Sequence, residues 1–145
     1  ITTFKFIRSV RKPLGMTNQF LYPSGICFDP SSNSIYVADT HNQRICVLSS
    51  DGSFKYSFGS HGFNDGQFNC PCDICVSDDG QFIVVLDYAC NRVQILRCDG
   101  SFITSYNLSK SDKFRSCDLN HVCLSKGDLI ICDINSYCVI RIHAL

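Results

Sequence analysis

His41, Asn42 and Arg44 follow Asp39 in the run VADTHNQRICVL, and Tyr88, Asn91 and Arg92 follow Asp87 in VLDYACNRVQIL. An imidazole, a carboxamide and a guanidinium beside a carboxylate could bind an anion or orient a peptide. They could equally satisfy one another, because a guanidinium with five donors can tie its own loop to nearby carbonyls and to the preceding Asp. Cys70, Cys72, Cys117 and His121 are of types that zinc accepts, and they fall in two clusters. Their spacing is not a paired CxxC, and neighbouring Cys75 sits in an apolar run, so cysteines that fill strand junctions are the preferred reading. No metal and no cofactor is expected. His41 and His121 lack a complete set of nucleophile, base and oxyanion donors, so catalysis is not expected either.

A second chemistry is stacking on single-stranded RNA. Arg11, Lys12, Lys110, Lys113 and Arg115 would supply cations, and Phe20, Tyr22, Phe63, Tyr88 and Tyr137 would supply rings. Against it, Asp39, Asp65, Asp87, Asp112, Asp118 and Asp133 lie in or beside the same loops. Over the whole chain 13 basic residues meet 13 acidic ones.

The elements that carry these residues repeat. SIYVADTHNQRICVLSSDGSF, at 34–54, returns 48 residues later as QFIVVLDYACNRVQILRCDGSF, bringing Asp39, Arg44, Gly52 and Phe54 back as Asp87, Arg92, Gly100 and Phe102. A fixed period of this length built from strand-sized apolar runs marks a repeat architecture. The runs predict strands over 25–28, 35–38, 44–48 and 54–58, then 74–76, 82–86, 92–96 and 102–106, then 122–124, 129–132 and 139–142. Between them lie Asp-Gly, Asn and Asp-Pro turn signals. The opening run 4–10 matches a fourth strand, so it would complete the sheet that the last three strands begin. In such an up-and-down unit the loops after second strands share a face with the long linkers, and that face takes binding. The opposite face collects Asp29, Asp51, Asp78, Asp79, Asp99 and Asp128, and is expected to be acidic.

All acidic residues are Asp, a turn former, which fits many turns and little helix. Eleven cysteines cannot all pair with one another, and Cys27, Cys75 and Cys123 recur once per repeat in apolar strands, so these three are expected to be buried. That usage suggests a reducing compartment and a cytoplasmic location. No apolar run approaches the roughly 18 residues of a membrane helix. The start at Ile1-Thr2-Thr3, without Met, is expected of a piece of a longer protein.

The segments VADTHNQRICVLSSDGSFKYSFGSHGFNDGQFNCPCDICVS and VLDYACNRVQILRCDGSF resemble NHL repeats. The resemblance implies an all-β fold, a β-propeller of four-stranded antiparallel blades, usually six to a ring. Asp39, Asn42 and Arg44 match the family's positions. The second blade has Cys90 for the Asn, and the third keeps Asp133 but has Ser136 and Cys138. One domain over 1–145 would hold three blades, with repeats at about 11–58, 59–106 and 107–145. Three are too few to close a ring, so the chain is expected to be half of a six-bladed ring completed by a second copy as a homodimer, or a fragment of a longer protein, with an open three-blade arc ranked last because its edges would stay unpaired. The family reading implies a non-catalytic module that binds a protein or peptide through the long-loop face, at His41, Asn42, Arg44, Tyr88, Asn91, Arg92, Lys113, Arg115 and Tyr137. The alternatives it leaves are single-stranded RNA on that face, as some NHL propellers bind, and a zinc-dependent lyase of the kind found among related peptidyl-amidating propellers.

Overall fold

In the computed structural model, residues 9, 13, 15–108, 119–133 and 138–143 are described. The strands are β1 (Pro23–Asp29), β2 (Ser34–Asp39), β3 (Arg44–Ser49), β4 (Phe54–Phe58), β5 (Pro71–Val76), β6 (Phe82–Asp87), β7 (Arg92–Arg97), β8 (Phe102–Asn107), β9 (Leu119–Ser125), β10 (Asp128–Asp133) and β11 (Cys138–His143). They form two antiparallel four-stranded sheets, β1-β2-β3-β4 and β5-β6-β7-β8. A third sheet shows three strands, β11-β10-β9, among the described residues. The eleven strands predicted between 25 and 142 are present, each starting and ending within a few residues of its predicted limits. The opening run 4–10, predicted to complete the third sheet, lies outside the described residues apart from residue 9.

The second and third strands are apolar on both faces because both faces are covered. β2 reads SIYVAD with five of its six residues buried, and β6 reads FIVVLD with five buried. The outer strands β4 and β8 carry Lys, Ser, Thr and Tyr and stay open to water. The turns follow their local chemistry. After β3 and β7, Gly52 and Gly100 take positive φ of 83° and 93°, while the Asp51 and Asp99 carboxylates accept from the N–H groups of Ser53 and Ser101.

The sheets stack as blades. β1 packs beside β5 and β5 beside β9, so the first strands form the line along which the three blades meet. Tyr36, Ala38, Ile45 and Val47 from the first blade enclose a core with Ile74, Ile83, Val85 and Leu96 from the second, and Phe68 of the linker is buried with them. The same arrangement recurs between the second and third blades, where Val84, Leu86 and Val93 meet Val122 and Ile131. Polar bonds key the blades together. Ser24 Oγ donates to the Cys72 carbonyl at 2.7 Å, Thr40 Oγ1 to the Pro71 carbonyl at 2.8 Å, and the Val122 N–H to Asp73 Oδ2 at 2.8 Å. Among the described residues the three blades do not close into a ring and match part of a propeller.

Two expectations need correction. Cys27 and Cys75 are only partly buried, and Cys123 is exposed. The shared strand position points toward the following blade, and among the described residues the third blade has no following one. The short-turn face is also less acidic than the Asp count suggests, because Asp128 is paired with Arg141. Asp29 is buried but keeps its charge, accepting from the Ser31 N–H at 2.9 Å and from both Ser31 and Ser32 hydroxyls.

Candidate functional site

Each of the first two blades turns from its second strand into its third through one 3-10 turn, Thr40–Asn42 or Tyr88–Cys90, closed by Gln43 or Asn91 at φ 49°. The strand pairing sets Asp39 opposite Arg44 and Asp87 opposite Arg92. Asp39 is fully buried. Its Oδ1 accepts from the Leu21 N–H at 2.7 Å, and its Oδ2 accepts from Asn42 Nδ2 at 2.8 Å and Arg44 Nε at 2.9 Å. Asp87 repeats the design, accepting from the N–H groups of Cys70 and Asn69 and standing 3.4 Å from Arg92 Nε. Buried carboxylates survive only when paired and hydrogen-bonded, and these two are anchored to the linker as well as to the turn.

Arg92 reaches further along the linker. Its Nη1 donates to the Phe63 carbonyl at 2.9 Å, and its Nη2 donates to the carbonyls of Asn64 at 3.1 Å and Gln67 at 2.9 Å. Gln94, fully buried, adds a bond from Nε2 to the Gln67 carbonyl and accepts from the Gly66 N–H. Gln94 was missed in the sequence, though a lone amide inside the apolar run RVQIL was the available signal. These bonds prove that linkers and turns share one face, as expected. They also use Asn42, Arg44 and Arg92 internally.

What this face presents outward is ring surface. Tyr22 is 72 % exposed, has a left-handed φ of 55°, and stacks on exposed His41 at a centroid distance of 4.7 Å and an angle of 14°. A tyrosine in that backbone region is strained and must be held there. The hold is visible on its left side, where Leu21 donates to Asp39 and accepts from the His41 N–H at 3.1 Å. Phe63 is 67 % exposed beside His61, Tyr88 is partly exposed, and Leu21 is half exposed. In the second blade Cys70 and Ala89 replace Tyr22 and His41, so among the described residues the stacked pair belongs to the first blade alone. Lys113, Arg115, Tyr137 and Cys117 lie outside the described residues.

Among the described residues the cysteines on this face do not converge. Burial, followed by neighbouring Cys70 and Asp73, pushes the Cys72 thiol up to about 12, and its sulfur donates to the Leu86 carbonyl. Burial and then Asp87 raise Cys70. His121 instead stands 3.5 Å from Asp73. Among the described residues no three His, Cys, Asp or Glu side chains gather as a metal site would require.

Residues 20–48 match the NHL repeat model. The structure supplies the remaining blades by the same strand register. The chain has an NHL-like, propeller-type fold. A 52-residue stretch of it is 44% identical to protein brain tumor of Drosophila melanogaster, covering 36% of the chain and 5% of that protein. A Bacteroides fragilis protein described as exported superposes with a TM-score of 0.63 and 20% identity, over 85% of this chain and 33% of its own. A catalytically inactive virginiamycin B lyase from Staphylococcus aureus, solved with quinupristin, superposes with a TM-score of 0.62 and 16% identity, over 92% and 45%. At these identities the two structures speak for the fold alone. The chain spans less than half the length of each of these proteins.

Proposed function

We propose that this NHL half propeller is a non-catalytic interaction module that binds a protein or peptide through the face bearing its linkers and 3-10 turns. The observation that supports this most is the exposed Tyr22–His41 stack, a rigid amphipathic surface beside Phe63 and Tyr88. Arg44 and Arg92, two of the cations expected to meet a ligand there, are spent on buried carboxylates and linker carbonyls. A face of exposed rings with committed guanidinium groups suits side-chain anchoring better than phosphate contacts. Its partners on this reading are a peptide at the loops and a second copy of the chain at the outer blades, in a cytoplasmic setting.

The test is a peptide array probed with the purified chain and with Tyr22→Ala, alongside titration of short single-stranded RNA at two salt concentrations. Tyr22→Ala should weaken the retained peptides by roughly tenfold or more, the scale of an aromatic anchor. Tight RNA binding that falls steeply with salt, together with an empty array, would replace this reading with the RNA one.

A further inference from the structure

The first turn of each blade lies on the face opposite the linkers, and its length differs between blades. Four residues separate the last paired positions in the first two blades, 30–33 between Asp29 and Ser34 and 78–81 between Ser77 and Phe82. In the third blade Ser125 pairs with Asp128, and only Lys126 and Gly127 lie between them. The longer turn fills its junction. Gly80 presses so closely on the turn of the first blade that an added Cβ would overlap Ser31 Oγ and stand 3.3 Å from Asp29 Oδ1. A Cβ added to Gly127 would meet nothing within 4 Å.

The shorter turn leaves a cleft of about 280 Å³ between the second and third blades, lined by Ser77, Asp78, Asp79, Phe82, Leu124 and Gly127. Phe82 and Leu124 are partly buried and give it an apolar wall, while Asp78 and Asp79 are exposed. Asp79 is held in place. Its Oδ1 accepts from Ser77 Oγ at 2.6 Å and from the Gln81 N–H at 3.0 Å, and these bonds lower its carboxyl pKa and keep it charged. Its other oxygen, and the whole Asp78 carboxylate, have no hydrogen-bond or ion-pair partner among the described residues. Lys126, exposed beside Gly127, pairs with neither.

We propose that this cleft takes an arginine side chain of a partner polypeptide, with its stem on Leu124 and its guanidinium between the Phe82 ring and the carboxylates of Asp78 and Asp79. The charges are complementary, two open carboxylates against the single ammonium of Lys126. The cleft is also smaller than the roughly 300–1,000 Å³ of small-molecule pockets, which suits one long side chain. A guanidinium fits this mixture better than an ammonium, because it is planar, weakly hydrated, stacks on rings and presents paired donors to carboxylates. The same face already shows the pairing, since Arg141 donates to buried Asp128. The site stands apart from the Tyr22–His41 stack and is independent of what binds there.

The probe is the peptide acetyl-Gly-Arg-Gly-amide, titrated into the isotope-labelled 145-residue protein and followed by backbone amide shifts, with citrulline and lysine versions as controls. The arginine peptide should bind with a Kd of about a millimolar, the strength of one side chain in an open cleft. It should move the amides of Asp79, Phe82, Leu124 and Gly127 and leave those of Tyr22 and His41. Citrulline keeps the shape without the charge and should bind roughly tenfold more weakly, and lysine should also bind less well. Asp78→Asn alters an exposed, unpartnered side chain, so its spectrum away from the cleft should match the parent's, while affinity falls roughly fivefold. Tyr22→Ala, which tests the loop face, should leave these shifts unchanged. Citrulline or lysine peptides that bind as well as arginine, an Asp78→Asn protein of unchanged affinity, shifts confined to the loop face, or none by about 10 mM peptide would each overturn the proposal.

Discussion

Asp39 and Asp87 lie fully buried, and each holds a guanidinium and main-chain N–H groups from the preceding linker. Removing such a carboxylate strands a buried cation and orphans the linker donors together. Asp39→Ala should therefore cost about 3–5 kcal/mol of unfolding free energy, the scale of a broken buried pair, measured by urea titration. Asp29 makes a pH prediction. Burial alone would raise its carboxyl, but hydrogen bonds from Ser32 and Ser31 outweigh that and hold it below the ordinary value. A carboxylate lowered on folding contributes stability above its unfolded pKa, and that contribution disappears as pH falls through the folded one. Stability should decline below about pH 4 in the parent and decline less steeply in Asp29→Asn. Identical acid limbs in the two urea series would remove Asp29 as a cause.

At the scale of elements, the first strand of each blade sets the junction geometry. Gly25 is needed because a Cβ there would meet Asp73 Cα at 2.5 Å and the Cys72 carbonyl oxygen at 2.9 Å, both main-chain atoms that cannot swing aside. Gly127 has φ 82° but nothing within 4 Å of an added Cβ. Gly127→Ala should cost only the roughly 1–2 kcal/mol of a left-handed residue. Gly25→Ala should cost more and should disturb the Ser24–Cys72 tie as well, a difference that paired thermal melts would detect. The strands themselves were legible because apolar runs and Asp-Gly turns returned with a fixed offset. The exposure of Cys123 was not, because a strand's pattern tells which residues share a face but not whether another blade covers that face. Likewise Arg92 was legible as a loop tie, whereas its three linker carbonyls depend on a fold of 63–67 that no periodicity encodes.

For the whole molecule, the two ends and the middle face different surroundings. The second blade is covered on both faces, with Ile83, Val85 and Leu96 on one side and Val84, Leu86 and Val93 on the other. The outer blades each have one face that bears exposed apolar side chains. Local opening free energy follows burial and contact with neighbours, so amide exchange should be graded along the stack. In this protein β6 and β7 should exchange slowest, with β1 and β11 faster, because the middle blade is covered on both faces while Ile26 and Val139 at the two ends are each 67 % exposed. Uniform protection across all three blades would contradict the graded burial.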